Sequence, residues 1–383
     1  MVLIVAGEAS ADLHGSNLVK ALKRLNPGVV FEGIGGSSMA QAGVRILVSS
    51  SDMAVVGLTE VLRKVRTIVK AAGTMKSALK SLRPDLLILI DYPDFNLYLA
   101  RIAKGLGIPV LYYISPQVWA WRGGRVKKIA RRVDRMAVIL PFEKSFYGKR
   151  GLNVDYVGHP LVDEFESKVR ERVLPGRTQA RGPGLQSKTH MRHPVVGLLP
   201  GSRKDELRNL LPVMIRAVEI LKTKYPHIQC LLPLAQTIER KYVETFVRNT
   251  PLNIEIHQND VYRTLEHCHI ALVASGTATL DTAIMGIPMV VVYKVAPFSY
   301  WLGKKLIRVP FIGLVNLVAG ERVVPELIQD EVTPDRLASE ALSLLEDEER
   351  REKMIVKLKG IRKDLGKGGA SEKAARIAIE MME

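Results

Sequence analysis

A chain of 383 residues is long for one hydrophobic core, and at about 150 residues per domain it predicts two or three domains. Its 47% of hydrophobic and 25% of charged residues exclude a disordered chain and predict a large core. An excess of 56 Lys and Arg over 39 Asp and Glu gives a net charge of +17, which favours anionic partners: nucleic acid, acidic lipid headgroups or phosphorylated substrates.

Two features of the sequence bear on the compartment. Cys230 and Cys268 lie in segments typical of buried strands without metal-ligand spacing, so we interpret them as reduced core residues of a cytosolic protein. The N-terminus lacks the basic region of a signal peptide, and no uncharged apolar run reaches the roughly 18 residues that span a bilayer. We therefore expect a soluble or peripheral protein.

Short apolar segments of strand length alternate with longer segments of helical periodicity from the first residue onward. This alternation predicts βαβ units on parallel sheets. The predicted strands of a first series cover 2–6, 86–90 and 110–114, and those of a second series begin at 195 and continue at 229–234, 254–257, 270–274 and 288–293. The sequence therefore predicts two α/β lobes that bind ligands beyond the carboxyl ends of their strands.

Composition suggests where the lobes end. Residues 166–193 are rich in Arg, Pro and Gly, which is typical of a linker. We predict an N-terminal lobe over 1–165, this basic linker, a C-terminal lobe over 194–335 and a helical tail over 336–383.

The segment 57–76 has the periodicity of a basic amphipathic helix. The residues that we expect on its apolar and basic faces are Leu58, Val61, Leu62, Val65 and Val69, and Arg66 and Lys70. Such a helix suits an anionic membrane surface. A helix packed on the sheet is the alternative, and the residues alone slightly favour it.

Carboxylates follow two predicted strands of the first lobe. Glu8 comes after the first strand, and Asp91 and Asp94 come after the strand at 86–90. Such residues are most often helix caps. Carboxylates that converge at the strand ends of a strongly basic chain also fit a general base and its hydrogen-bonding partners, so both interpretations stay open.

Aromatic and basic residues follow one another over 112–132. This pattern fits a nucleic-acid patch, a membrane-interface belt, or a core strand that leads into a solvated helix. The last of these is the usual case.

The segment 194–206 reads as a buried strand, a turn at Gly201 and a helix start with Arg203 in its first turn. Ser202 and Asp205 have the spacing of a capping box. Free amide groups at such a turn, together with a guanidinium, are suited to bind phosphate. An ordinary connection with a solvated arginine is the alternative.

A second turn of this kind, Ser275, Gly276 and Thr277, follows the strand at 270–274. Its amides could meet a phosphate while Asp281 accepts hydrogen bonds from sugar hydroxyls. A helix start made of small residues and packed under the sheet is the alternative. Two such turns in one lobe favour a nucleotide-diphosphate site.

No metal-binding motif and no GxGxxG fingerprint occurs. We therefore expect no metal and no cofactor, and no hydride chemistry.

Ten stretches carry a family resemblance: GEASADLHG, GLTEVL, DYPDFN, YYISPQVWAWR, LPFE, YVGHPLVDE, LLPGSRKDEL, ASGTATLD, GLVNLVAG and VPELIQDE. In this order the chain resembles the lipid-A-disaccharide synthase family, glycosyltransferase family 19, over nearly its whole length outside the linker. The resemblance implies a GT-B fold, with two Rossmann-like lobes and parallel sheets facing a central cleft, the nucleotide held by the C-terminal lobe, and the last helix crossing back to the first lobe.

The resemblance also implies an activity. UDP-2,3-diacylglucosamine would be joined to 2,3-diacylglucosamine 1-phosphate (lipid X), giving a β-1,6 disaccharide and UDP. The enzyme would be cytoplasmic, peripheral on the inner face of the cytoplasmic membrane, and this favours the helix at 57–76 as the contact with its anionic surface. A nucleic-acid partner is not expected, and a homodimer stays open.

Roles follow for individual residues. Asp91 matches the family's base and Glu8 its other essential carboxylate. Arg203 would stabilise the departing diphosphate, and Asn316 matches an asparagine at the nucleotide. On the acceptor side we place His14, Asp94, Asn96, Ser115 and Gln117.

Two positions depart from the family pattern. Ala11 stands where the family usually has glycine, and Asp281 stands where it has the longer glutamate, which puts the backbone geometry and the ribose contact in doubt. Two rival functions remain: a UDP-sugar epimerase, which needs no lipid acceptor, and a nucleic-acid-binding protein, which the scattered basic residues support poorly.

Overall fold

The computed structural model describes residues 1–53, 61–121, 123–172, 193–235, 237–258, 260–296, 300 and 309–383. They form two compact units. The first comprises Met1–Asp163 together with Leu365–Glu383, and the second comprises Glu164–Asp364.

The first unit contains a seven-stranded parallel sheet in the order β3-β2-β1-β4-β5-β6-β7. Its strands are β1 Val2–Ala6, β2 Phe31–Gly35, β3 Val44–Ser49, β4 Leu86–Ile90, β5 Val110–Tyr113, β6 Arg135–Val138 and β7 Asp155–Tyr156. Every residue of β1 and β4 is buried, as expected for central strands that helices cover on both faces.

Helices connect these strands. They are α1 Ala9–Leu25, α2 Ser37–Gln41, α3 Ser50–Met53, α4 Val61–Leu82, α5 Pro93–Gly105, α6 Val118–Trp121, α7 Val126–Ala130, α8 Pro141–Gly148 and α9 Pro160–Arg172. The last of these continues to Arg172, so residues 166–172 of the segment that composition marks as linker are helical. Helices α4, α5 and α7 share one apolar core on one side of the sheet.

The second unit contains a six-stranded parallel sheet in the order β10-β9-β8-β11-β12-β13. Its strands are β8 Val195–Leu199, β9 Gln229–Leu234, β10 Asn253–Gln258, β11 Ile270–Ala274, β12 Met289–Tyr293 and β13 Glu326–Ile328. The helices are α10 Lys204–Lys222, α11 Arg240–Val247, α12 Val261–Leu265, α13 Ala278–Ile284, α14 Leu314–Ala319, α15 Pro334–Glu346 and α16 Glu348–Asp364. The final helix, α17 Ala370–Glu380, belongs to the first unit and packs on α1.

Both sheets reverse their strand order at a defined place. In the first unit, β2 lies on one side of β1 and β4 lies on the other side. In the second unit, β9 lies on one side of β8 and β11 lies on the other side. Ligands of open α/β sheets bind at such switch points, beyond the carboxyl ends of the strands. The turns after β1 and β4, and after β8 and β11, are therefore where function is expected.

Candidate active site

The switch point of the first unit holds two acidic residues. β1 and β4 are paired up to Ala6 and Ile90, so Glu8 and Asp91 follow neighbouring strand ends. Glu8 is the N-cap residue of α1, but its exposed carboxylate makes no capping hydrogen bond. Glu8 therefore does not cap α1, although capping is the more common role of a carboxylate at the start of a helix.

The Asp91 carboxyl group has a perturbed acidity. Its pKa is raised from 3.8 to about 6, chiefly by burial and to a lesser extent by the nearby charge of Glu8, while a hydrogen bond from the backbone of Tyr92 lowers it. A pKa in this range suits a group that is ionised near neutral pH and still accepts a proton well.

The backbone that carries Asp91 is strained. Asp91 and Tyr92 both have φ of 46°, in the left-handed region that residues other than glycine rarely adopt. The side-chain amide of Asn96 donates to the carbonyl oxygens of Asp91 (2.7 Å) and Ile90 (3.1 Å), and the Tyr112 hydroxyl donates to Asp91 O (2.5 Å). Strain that neighbours hold in place in this way is typical of functional sites.

The structure corrects two of the residues expected on the acceptor side. Asn96 is fully buried and its amide is used to hold the Asp91 backbone, and Ser115 is buried and hydrogen-bonded to Glu143. Neither side chain reaches a surface where a substrate could touch it. Both residues follow strand ends as the sequence predicts, but their short side chains point into the fold.

The other acceptor-side residues are accessible to different degrees. Asp94 is exposed and forms an ion pair with Arg125 (2.5 Å), and Gln117 is exposed. His14 is partly buried on α1, close to His159, whose pKa falls to about 3 because of burial and, to a lesser extent, the proximity of His14. Asp94 and Gln117 therefore remain candidates for contact with a ligand.

The substitution at Ala11 leaves the turn after β1 intact. Ala11 is buried within α1 and does not have a positive φ, so no glycine is needed there. Its neighbour Asp12 accepts hydrogen bonds from the amides of Gly36 (2.6 Å), Ser38 (3.0 Å) and Met39 (3.1 Å), and so fixes the turn after β2.

In the second unit, the turn after β8 differs from its predicted form. Helix α10 begins at Lys204, and Glu206 rather than Asp205 closes its first turn. The Glu206 Oε2 atom accepts hydrogen bonds from the amides of Ser202 (2.9 Å) and Arg203 (3.3 Å). The predicted Ser202–Asp205 capping box is wrong, and the amides expected to be free are engaged.

Gly201 is what lets the Glu206 carboxylate reach those amides. It has φ of 108°, and a Cβ atom added to it would lie 2.1 Å from Glu206 Oε2. The Arg203 side chain is 74% exposed, with its guanidinium 3.9 Å from Glu206 Oε1. A carboxylate of the protein thus lies where an anionic ligand is expected, while the guanidinium remains accessible.

The turn after β11 is open on one side. Ser275 Oγ donates to Ile312 O (2.9 Å), Thr277 is exposed, and an added Cβ at Gly276 would meet no described atom within 4 Å. Asp281 instead turns to Tyr262, whose hydroxyl donates to its Oδ1 atom (2.7 Å), and burial raises its pKa to about 7. Asp281 is thus occupied by a protein partner in place of the expected sugar hydroxyls.

The structure differs most clearly from the sequence prediction at Asn316, which was expected to contact the nucleotide. It is fully buried, and its amide donates to Val324 O (2.9 Å) and Glu326 Oε1 (2.8 Å), while its oxygen accepts from the amides of Val323 (2.8 Å) and Val324 (3.0 Å). All of its hydrogen-bonding groups are in use. Glu326 in turn holds the amides of Ile312 and Gly313 beside Ser275. Asn316 therefore supports the neighbourhood of the turn and is not free to bind a nucleotide.

Sequence reasoning missed three carboxylates: Glu143, Glu206 and Glu326. Only Glu206 had a local signal, because a glutamate in the first turn of a helix often accepts a hydrogen bond from the amide three residues before it. The partners of Glu143 and Glu326 include residues distant in sequence, so no local pattern marks them.

The profile of the family described as Lipid-A-disaccharide synthetase matches residues 2–380. The chain belongs to this family. The lipid-A-disaccharide synthase of Geobacter metallireducens is 50% identical over 381 residues, covering 100% of this chain and 97% of the relative. That of Coxiella burnetii (strain CbuK_Q154) is 43% identical over 382 residues, covering 100% and 98%.

Solved structures of the GT-B class share the fold. UDP-GlcNAc 2-epimerase from Neisseria meningitidis, bound to UDP-GlcNAc, superposes with a TM-score of 0.67 at 14% identity, over 99% of both chains. MurG from Acinetobacter baumannii gives 0.59 at 13% identity, also over 99% of both. The GT-B fold expected from the sequence is confirmed. Because the chain belongs to the lipid-A-disaccharide synthase family, it is a glycosyltransferase of lipid A biosynthesis.

The proposed membrane helix is described in part. Leu58 lies outside the described residues, as do the side chains of Val61, Leu62 and Val65. Arg66, Val69 and Lys70 are exposed, Val69 by 64%. Within the described part of the chain, no helix is long and apolar enough to cross a membrane, and no group of three or more His, Cys, Asp or Glu side chains could hold a metal ion.

Proposed function

We propose that the protein transfers 2,3-diacylglucosamine from its UDP conjugate to the 6-hydroxyl of 2,3-diacylglucosamine 1-phosphate. The products are a β-1,6-linked disaccharide 1-phosphate and UDP. The observation that carries the proposal is the Asp91 carboxyl group, with a pKa near 6 beside Glu8 at the switch point, in a chain of the lipid-A-disaccharide synthase family.

The reaction is an in-line displacement. Asp91 takes the proton of the acceptor hydroxyl as its oxygen attacks the anomeric carbon. The new oxygen–carbon bond forms as the bond to the β-phosphate oxygen breaks, and that electron pair leaves with UDP on the opposite face. An α-linked donor thus gives a β product. Glu8 orients the acceptor and keeps the Asp91 pKa high, which makes Asp91 a better proton acceptor.

The second unit binds the donor at its two strand-end turns. Gly201, Ser202 and Arg203 receive the diphosphate, and the exposed guanidinium of Arg203 stabilises the charge that develops as UDP leaves. Because a guanidinium supplies this charge, the mechanism that we propose needs no metal ion.

The second donor turn contributes backbone and hydroxyl groups. Ser275, Gly276 and Thr277 line it, and Asn316 holds the adjoining segment in place through Glu326. Asp281 would reach the ribose only if it left Tyr262, so we assign it no direct contact in this state.

The lipid substrates place the enzyme on the inner face of the cytoplasmic membrane. Helix α4 carries exposed Arg66 and Lys70 around exposed Val69 and has no acidic residue, which suits anionic headgroups. The double substitution Arg66→Glu and Lys70→Glu is expected to abolish co-sedimentation with anionic vesicles. Undiminished co-sedimentation would place the membrane contact elsewhere.

The direct test of the function is product formation from the two lipid substrates. Wild-type protein is expected to form disaccharide and UDP, whereas Asp91→Asn is expected to lose about 100-fold or more in kcat because the base is absent, while UDP still binds. Full turnover by the variant would exclude Asp91 as the base.

Thermal unfolding of the same variant is the control. Because the folded pKa of Asp91 lies above its ordinary 3.8, the ionised carboxylate destabilises the fold as pH rises from about 4 to 6, and this cost persists above pH 6. Asp91→Asn is therefore expected to unfold at a slightly higher temperature than wild type at neutral pH. A lower unfolding temperature would attribute lost activity to misfolding.

The position of Glu206 gives a prediction for UDP affinity. Its carboxylate competes with the diphosphate for the Ser202 and Arg203 amides, so Glu206→Gln is expected to bind UDP about fivefold more tightly. Asp205→Asn is the matched control, because Asp205 carries the same charge in the same helical turn but pairs with Arg208. Calorimetric titration measures both. Equal or weaker binding by Glu206→Gln would show that the diphosphate does not use these amides.

A further inference from the structure

Glu143 is a buried acid for which the proposed reaction has no use. It lies in the first turn of α8 and is only 1% exposed. Its Oε2 atom accepts hydrogen bonds from the amides of Ile139 (3.2 Å) and Leu140 (2.9 Å), which lie directly after β6. One oxygen of the carboxylate therefore holds the turn in which the residue itself lies.

The other oxygen binds a different segment. Glu143 Oε1 accepts from the Ser115 hydroxyl (2.5 Å) and from the Trp119 indole nitrogen (3.2 Å), both in the segment after β5. The Tyr147 hydroxyl donates to Ser115 Oγ (3.2 Å). Since β5 and β6 are parallel neighbours, one carboxylate joins the turns at two adjacent strand ends.

This arrangement is costly for the fold. Burial raises the pKa of Glu143 to about 7 against four opposing hydrogen bonds, and none of the groups that shift it is a Lys or Arg. A buried carboxylate without a cation contributes little net stability, and apolar residues often serve stability better. What the carboxylate supplies is a fixed position for the groups that it binds.

The segment held by Glu143 adjoins the acidic pair. Ile114, at its start, has φ of 62°, and its carbonyl oxygen accepts from the Asp91 amide (3.3 Å). Gln117 lies in the middle of the segment and is exposed. A shift of this segment would thus move both the backbone of Asp91 and the exposed Gln117.

Resting on the proposed function, we propose that Glu143 is a positioning residue for the acceptor. It fixes the segment 114–119 so that Gln117 and Asp91 meet the acceptor sugar together. It does not touch the substrate, and the donor site in the second unit does not depend on it.

The test is steady-state kinetics of Glu143→Gln with both lipid substrates. Glutamine keeps the volume of the side chain, but its NH₂ group cannot accept hydrogen bonds, so about half of the four are lost. We expect kcat to fall about tenfold and KM for the acceptor to rise, with KM for the UDP-sugar within about twofold of wild type.

The matched comparison is Glu326→Gln, which removes the same kind of buried acceptor from the second unit. It is expected to raise KM for the donor instead. A purely structural role of Glu143 would lower the unfolding temperature without this division between substrates. Should Glu143→Gln not fold, Ser115→Ala removes one of the four donors and is expected to shift the same constants in the same direction, by less.

The outcomes separate the two proposals. Wild-type protein that forms no disaccharide overturns the proposed function and this inference with it. An active wild type with unchanged constants in Glu143→Gln, or with donor and acceptor affected equally, overturns the positioning role alone.

Discussion

Backbone amides at the carboxyl ends of parallel strands need acceptors, and in this protein carboxylates supply them. Asp12, Glu143 and Glu206 each accept hydrogen bonds from two or three amides at such a turn, and Glu326 accepts from the amides of Ile312 and Gly313 at the start of α14. An amide without an acceptor is costly where it is buried, so these acids help to fix the segments beside the functional residues. A chain of net charge +17 thus uses part of its acidic minority internally.

This use of carboxylates makes Asp91 and Glu8 distinctive. Both follow strands at the switch point of the first unit, yet Glu8 caps nothing, and the fold holds Asp91 through its backbone carbonyl while its carboxylate keeps a raised pKa. The hydrogen bonds that fix the backbone of Asp91 come from Asn96 and Tyr112, not from its own carboxylate. The acid is thereby oriented and remains able to take a proton.

The second unit applies the same rule with a different result. The acceptor at the turn after β8 is Glu206, which lies over Gly201 and occupies the two amides that the proposed diphosphate contact would use. A helix terminus whose amides are already satisfied binds an anion only by exchange. In the function that we propose, this exchange would let the turn be stable when empty and release UDP after transfer.

The sequence predicted the sheets and their switch points because central strands are continuous apolar runs, which lie in β1, β4, β8 and β11. It also predicted that acids and phosphate-type turns follow those strands.

It could not predict which polar side chain faces a ligand. Asn96, Ser115 and Asn316 have the right positions along the chain, but their partners inside the fold are set by distances between segments remote in sequence. At the turn after β8 the spacing of Ser202 and Asp205 predicts a capping box, but that box does not form. The Glu206 carboxylate instead accepts from the amides of Ser202 and Arg203, and the Gly201 turn leaves room for it.

The most direct test of the account is the pH dependence of kcat/KM in wild type and in Glu8→Gln. A base with its pKa raised by burial and by Glu8 predicts that activity falls with decreasing pH around 6, and that the fall moves to lower pH when the charge of Glu8 is removed. Glu8 is not among the groups that shift the pKa of Glu143, so the movement reports on Asp91. A fall centred near pH 4 in wild type, or one that does not move in Glu8→Gln, would contradict the account.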